Sequence, residues 1–298
     1  MKAQPQRFLD PKVLAGISTL DLVARTVVDG FVSGLHRSPD FGFSQEFAEY
    51  RPYTPGDDPR RVDWNVFARL DRIYLKRYRG ETNTLLTLLL DCSASMRYNS
   101  HALSKLDYAR YLCASLAYLS NQQRDACGLI LFDETVREYV HASSRYGQLN
   151  RLLHAMDRAT EGTQTDFEAP ILHFQQFLRR RGIGVIVSDF YAEPDVLIRQ
   201  IEPLRQRGND VVLFHVLDPL EIEPHFQGAQ LFVDMESERK LEVSAEYLRG
   251  PYRDRLRKHL ATLQAESRRT GLDYMLLSTD KPLDAALREY LSIRQGRF

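Results

Sequence analysis

Short apolar runs alternate with amphipathic helical stretches along most of the chain, and this alternation constrains the fold more than any other feature. Parallel strands need a crossover connection, usually a helix, so the alternation predicts parallel pairing and helices packed on the sheet. We predict an α/β fold with a doubly wound, mostly parallel sheet. The predicted strands cover residues 85–90, 127–132, 183–188, 210–217 and 272–278, with an edge strand at 134–141.

Polar residues follow two of the predicted strands directly. Asp91, Ser93 and Ser95 leave the first strand with an Asp-x-Ser-x-Ser spacing, and Asp189 follows the strand at 183–188. Alternate oxygen-bearing side chains in a turn can converge on one hard cation, which prefers small oxygen ligands. Because ligands of open α/β sheets bind beyond the carboxyl ends of the strands, we expect these side chains to lie close together.

These residues resemble the metal-ion-dependent adhesion site of von Willebrand factor A domains. The resemblance implies a threonine from a second loop, for which Thr165 matches best and Thr163 is the alternative, and it implies Asp189 as the last ligand. The implied cofactor is a divalent cation, magnesium in the first place, with calcium or manganese as alternatives. Two ionised aspartates would balance its charge and leave an open position for a partner's carboxylate. We expect Asp91 to be solvent-facing.

The stretch 41–80 is rich in aromatic residues, arginines and turn residues. It contains Glu-Tyr-Arg-Pro-Tyr at 49–53, Gly-Asp-Asp-Pro-Arg-Arg-Val-Asp-Trp at 56–64 and Ala-Arg at 68–69. With the Asp91 motif, this block is similar to the bacterial family called domain of unknown function fifty-eight. The family's members carry a von Willebrand A-like domain and are typically encoded beside MoxR-type AAA+ ATPases. The resemblance implies an adaptor or co-chaperone of such an ATPase, acting on a client protein.

The arginine-rich block has three interpretations, of which nucleic-acid binding by Arg72, Lys76, Arg77 and Arg79 is the weakest. An ion-pair network can pin irregular backbone to the domain. Alternatively, the block forms a partner-docking surface, because Trp and Arg are enriched at binding hot spots. The candidate docking residues are Trp64, Arg60, Arg61 and Arg69.

The chain is predicted to have two parts. Residues 1–80 form a helix at 10–31 and the aromatic, arginine-rich extension; residues 81–298 form the von Willebrand A-like domain. A hairpin, with strands at 231–234 and 240–243, is inserted near 219–250. One interpretation is that the hairpin closes a sheet edge, and a partner site is the alternative.

Composition narrows the function classes. The 298 residues carry zero formal net charge, which argues against nucleic-acid binding by the whole surface. No apolar run has the length of a membrane helix and the first ten residues lack a signal core, so we predict a cytoplasmic protein without membrane insertion. Cys92, Cys113 and Cys127 have no metal-ligand spacing.

Three functions remain for the Asp91 motif. The first is a metal-dependent protein-binding module without enzymatic activity. The second is a metal-dependent phosphoesterase that uses Asp91, although Ser93 stands where such phosphatases carry a second carboxylate. The third is a structural scaffold with an empty metal site. The chain has no P-loop motif and no Gly-x-Ser-x-Gly nucleophile elbow.

Overall fold

The computed structural model describes residues 11–35, 47–52, 66–67, 73–78, 84–159, 162, 167–177, 181–225, 230–233 and 240–295. The chain forms two compact units. One unit comprises Met1–Gly34 together with Thr84–Phe298, and the other comprises Leu35–Asn83. The N-terminal helical region therefore groups with the larger unit, whereas the sequence-based division assigned it to the extension.

The N-terminal helical region is two helices, α1 (Pro11–Leu14) and α2 (Leu20–Leu35). The prediction of one helix over 10–31 is wrong. The chain leaves the helix after Leu14 in a turn that contains Gly16, a poor helix former. The chain becomes helical again at Leu20, where the Thr19 hydroxyl accepts a hydrogen bond from the Leu22 amide at 3.4 Å.

The second unit contains a two-stranded antiparallel sheet formed by β1 (Phe47–Pro52) and β2 (Tyr74–Tyr78). Residues 73–78 have the alternating pattern that is typical of a strand, and the second of these strands covers Tyr74–Tyr78. The candidate docking residues Trp64, Arg60, Arg61 and Arg69 lie outside the described residues, so the docking interpretation stays a prediction.

The larger unit is built on a six-stranded sheet, and a separate hairpin pairs two further strands antiparallel. In chain order the strands are β3 (Leu85–Asp91), β4 (Ala126–Phe132), β5 (Val136–Ser143), β6 (Ile183–Ser188), β7 (Asp210–Leu217), the hairpin strands β8 (Gln230–Val233) and β9 (Lys240–Val243), and β10 (Asp273–Ser278). Both the sheet strands and the inserted hairpin agree with the sequence prediction. The sheet strands most deeply buried on both faces are the apolar ones, as expected for parallel pairing.

Helices connect the strands. They are α3 (Lys105–Gln122), α4 (Gln148–Arg158), α5 (Glu168–Phe177), α6 (Pro194–Gln206), α7 (Pro219–Ile222), α8 (Ala245–Tyr247), α9 (Arg253–Thr270) and α10 (Asp284–Gln295). A 3-10 turn, Ala94–Arg97, follows β3, and a π-helical turn, Leu248–Tyr252, leads directly into α9. Helix α3 contacts both α4 and α10, and helix α6 contacts both α5 and α9.

The strand order is β10-β7-β6-β3-β4-β5, and every neighbouring pair is parallel except β4 with β5. The chain therefore winds outward from β3 through β4 to β5, then returns to the other side of β3 with β6. This reversal places the carboxyl ends of β3 and β6 side by side, with Leu90 opposite Val187. A crevice of this kind, at the switch in winding direction, is where open α/β sheets bind ligands.

The edge strand β5 approaches β4 closely at Gly128. A methyl group on Gly128 would come 2.9 Å from the Ala142 amide nitrogen and 3.0 Å from its Cα, so the backbone of β5 would have to move. We expect Gly128→Ala to lower the free energy of unfolding by about 1–3 kcal/mol in urea denaturation. Gly250→Ala is the control, because its new methyl group meets nothing within 4 Å. Equal stabilities of the two variants would contradict this account.

Candidate metal and ligand site at the carboxyl edge

Four parallel strands are each ended by a buried aspartate. Asp91 ends β3, Asp133 follows β4, Asp189 follows β6 and Asp218 follows β7, and none of the four is more than 1% exposed. Because the strands are parallel, all four carboxylates lie at one edge of the sheet. Burial of an unpaired carboxylate is costly, so the partners of each define what the edge can do.

Asp91 is held only by neutral donors among the residues that the structure describes. Its Oδ1 accepts a hydrogen bond from the Ser93 amide at 2.8 Å, and its Oδ2 accepts one from the Ser188 hydroxyl at 2.6 Å. Burial, and next the charge of Asp189, raise the pKa of Asp91 to about 7, although the Ser188 and Ser93 hydrogen bonds oppose the rise. In the metal-free protein this carboxyl is therefore partly protonated at neutral pH.

The expectation that Asp91 is solvent-facing is wrong, since its side chain has no exposed surface. The reason is that β3 is central in the sheet, between β4 and β6, and the backbone directly after it stays hydrogen-bonded to neighbouring segments. Asp91 pairs with Phe132, the Cys92 amide donates to the Phe132 carbonyl at 2.7 Å, and the Gly162 amide donates to the Cys92 carbonyl at 2.7 Å. Backbone hydrogen bonding thus continues past the end of β3.

Ser93 and Ser95 present their hydroxyls together on the turn after β3. Their Oγ atoms are 3.1 Å apart, and Ser93 is buried. Adjacent ligands of an octahedral magnesium ion, each about 2.1 Å from the metal, are about 3.0 Å apart. The two hydroxyls therefore have a separation that suits neighbouring positions on one hard cation.

Asp189 is paired with a buried lysine that the sequence analysis missed. Lys105 Nζ lies 2.8 Å from Asp189 Oδ2 and 2.7 Å from Glu221 Oε1, and the lysine side chain is fully buried. Burial by itself would lower the pKa of Lys105, but the two carboxylates outweigh it and the net shift is upward. The ammonium group therefore stays charged and neutralises one of its two acidic partners.

Aromatic rings surround this ion pair. The ammonium of Lys105 lies 4.8 Å from the centre of the Tyr191 ring and 5.9 Å from that of Tyr98. The Tyr252 hydroxyl donates a hydrogen bond to the Glu221 carbonyl at 3.0 Å. Tyr191 remains 51% exposed, so it marks the rim of the site.

Asp133 and Asp218 have structural partners. Asp133 accepts hydrogen bonds from the Thr135 amide at 2.9 Å and from Arg137 Nε at 2.6 Å. Asp218 accepts from the Ser100 amide and the Leu220 amide, both at 2.8 Å, and from the Ser100 hydroxyl at 2.5 Å. It also forms a capping box with Glu221 at the start of α7. These two carboxylates hold loops in place.

The structure brings Asp91, Ser93, Ser95 and Asp189 to the same edge, on adjacent strand ends. Thr165 and its alternative Thr163 lie outside the described residues. Within the described part of the chain, no three or more His, Cys, Asp or Glu side chains form a group that could hold a metal ion. The candidate ligands at this edge are the Asp91 and Asp189 carboxylates and the Ser93 and Ser95 hydroxyls, and oxygen is the ligand atom that magnesium takes.

Comparison with known proteins defines the family. A family model described as "Protein of unknown function DUF58" matches residues 49–268. The chain belongs to the DUF58 family. The resemblance drawn from the sequence block upstream of Asp91 is thereby confirmed.

One relative and two solved structures illustrate the similarity. The DUF58 chain is 29% identical over 292 residues to the uncharacterized protein Rv1480 of Mycobacterium tuberculosis (strain ATCC 25618 / H37Rv), a match that covers 96% of this chain and 91% of the relative. It resembles BatB from Bacteroides thetaiotaomicron with a TM-score of 0.47 and 15% identity, over 70% of this chain and 97% of BatB. It resembles the SpRpn10 VWA domain with a TM-score of 0.42 and 14% identity, over 69% of this chain and 94% of that domain.

The DUF58 chain has a buried histidine on β7. The Nδ1 atom of His215 lies 2.8 Å from the Tyr274 hydroxyl, and burial lowers the pKa of His215 to about 3, so the imidazole is neutral.

None of the described helices is both long enough and apolar enough to cross a membrane.

Proposed function

We propose that this DUF58 chain is a protein-binding module whose carboxyl-edge site takes a divalent cation, magnesium in the first place. Asp91, Ser93, Ser95 and Asp189 would hold the ion, together with the sequence-predicted Thr165. The observation that carries the proposal is that Asp91 is buried and accepts hydrogen bonds only from neutral donors among the described residues. Among the described residues, Asp133 and Asp189 contact cationic side chains and Asp218 accepts three hydrogen bonds, whereas the buried Asp91 has two neutral donors.

The charges of the site support a divalent ion. Asp91, Asp189 and Glu221 contribute three negative charges when ionised, and Lys105 contributes one positive charge. The net charge is minus two, which one divalent cation would cancel. Because the charges of Lys105 and Glu221 cancel each other, the net charge equals that of the two aspartates alone.

The cation would supply a point of attachment for an oxygen ligand. Serine and threonine hydroxyls are neutral, so the ion keeps an affinity for a further negative oxygen, and a partner's carboxylate is the ligand we propose. Asp91 and the two serines orient the ion at the sheet edge. We propose binding without turnover as the role of this site.

The partner that we propose is a MoxR-type AAA+ ATPase, with this chain as its adaptor or co-chaperone toward a client protein. Membership of the DUF58 family supports this choice, because the resemblance that identified the family implies that ATPase. We propose a cytoplasmic location, which suits the three free, buried cysteines, Cys92, Cys113 and Cys127.

Metal binding is tested by thermal melting of the full chain at pH 8, in magnesium and in chelator. A ligand that binds only the folded state at a hundredfold excess over its Kd stabilises by about 2.7 kcal/mol. We expect magnesium to raise the Tm of the wild type and to leave that of Asp91→Asn unchanged. Asp157→Asn removes one exposed acidic charge from α4 and should keep the full magnesium response. A wild type that melts identically with and without magnesium, manganese or calcium contradicts the proposal.

A further inference from the structure

The segment from Tyr252 to His259 is attached to the candidate site at both ends. The Tyr252 hydroxyl donates to the carbonyl of Glu221, the residue that holds Lys105. His259 Nε2 lies 3.1 Å from the carbonyl oxygen of Phe190, the residue after Asp189. The first two turns of α9 are therefore positioned against the site by contacts that come from two different strand ends.

Four cations lie between these two attachments. Arg253, Arg255, Arg257 and Lys258 are all exposed, and we call them the basic segment. Asp254 is the only acidic residue among them. Arg255 Nη1 lies 3.2 Å from the Tyr247 hydroxyl. No carboxylate in the described part of the chain forms an ion pair with any of the four, whereas Arg269 at the other end of α9 is paired with Glu266 at 2.7 Å.

The topology places the basic segment at the edge that carries the metal site. Helix α9 ends at Thr270, is followed by its C-cap Gly271 and leads into β10, whose first residue, Asp273, lies opposite Val212 near the start of β7. The helix thus ends at the amino edge of the sheet and begins at the carboxyl edge. A net charge of plus three is concentrated beside the site within six residues, four cations less the one acidic residue.

We infer that the basic segment is a docking surface for an acidic protein segment. The inference deepens the proposed function, since such a partner could also place one carboxylate on the metal, but the contacts with the basic segment require no metal.

A protein suits this surface better than a nucleic acid. A duplex presents one negative charge per about 1.7 Å along its whole length, so it would also run over the carboxylates of the neighbouring site. A peptide can confine its acidic residues to the cations.

The test measures binding of a fluorescent poly-glutamate peptide to the full chain in chelator. We expect Arg257→Gln/Lys258→Gln to bind about three- to tenfold more weakly than the wild type, since each exposed ion pair contributes modestly. The matched control is Arg145→Gln/Arg151→Gln, which removes two exposed cations near the end of β5. Because β5 is antiparallel to β4, this control lies at the opposite edge of the sheet, and its affinity should equal that of the wild type.

Three results would overturn the inference: no binding of the peptide, equal losses in the two double variants, or tighter binding of a DNA oligonucleotide or of phosphatidylserine vesicles than of the peptide. Repeating the titration in magnesium separates the inference from the proposed function. We expect magnesium to tighten peptide binding to the wild type and not to Asp91→Asn. If magnesium has no effect while the basic segment retains its contribution, the metal proposal fails and the docking surface stands.

Discussion

Replacing Lys105 with methionine is expected to lower the free energy of unfolding by about 3–5 kcal/mol, because breaking a buried ion pair from one side leaves its partners uncompensated. Lys105 is fully buried and contacts Asp189 and Glu221 at 2.8 Å and 2.7 Å. Methionine fills a similar volume but carries no charge, so two largely buried carboxylates lose their only described cation. Urea denaturation at neutral pH measures the change.

The control for this variant is Lys281→Met. Lys281 also forms an ion pair, at 3.4 Å with Asp280, but its side chain is 71% exposed. An exposed pair contributes about 0–1 kcal/mol, so this variant should differ little from the wild type. If Lys105→Met and Lys281→Met have the same small effect, Lys105 does not compensate the buried carboxylates.

The second large effect concerns the pH dependence of stability. We expect Asp91→Asn to be more stable than the wild type at pH 8 in chelator, by up to about 4 kcal/mol. This is the free energy that corresponds to a pKa raised from 3.8 to about 7 at about 1.4 kcal/mol for each tenfold change in proton affinity. Asparagine keeps the size of the side chain, and its carbonyl can still accept the hydrogen bond from the Ser93 amide.

The sign follows from proton linkage. Between pH 4 and pH 7 the folded wild type retains a proton at Asp91 that the unfolded chain has released, so its stability falls as the pH rises through this range. Below pH 4 both states are protonated and the full contribution is present. The asparagine of the variant does not titrate, so the advantage of the variant should shrink as the pH falls and vanish near pH 4.

Urea denaturation across pH 4–8 measures this difference, with Asp157→Asn as the control that should follow the wild-type profile. Parallel stability curves for Asp91→Asn and the wild type would show that Asp91 has an ordinary carboxyl pKa. Magnesium should remove much of the variant's advantage at pH 8, since the ion would stabilise the ionised wild-type carboxylate.

The sequence determined the arrangement of strands and helices in the larger unit because that information is local. Each buried parallel strand is an apolar run with polar residues at its ends, and each run predicted a strand that the structure contains, as at Asp210–Leu217. Ser104 caps α3 by accepting a hydrogen bond from the Asp107 amide, as the spacing of the two residues indicates. The alternation also implies parallel pairing, so the sequence alone places Asp91 and Asp189 at one edge of the sheet.

Only the tertiary structure decided the electrostatics of that edge. Lys105 and Glu221 are 116 positions apart, and neither has an unusual local context, so no spacing in the sequence indicates that they meet beside Asp189. Burial of Asp91 likewise depends on the central place of β3 between β4 and β6, two strands that come later in the chain. Charge pairing and desolvation act through space between distant segments, whereas strand and helix formation follows from neighbouring residues. The sequence therefore located the candidate oxygen ligands, and the fold decided which of them contact a cationic side chain.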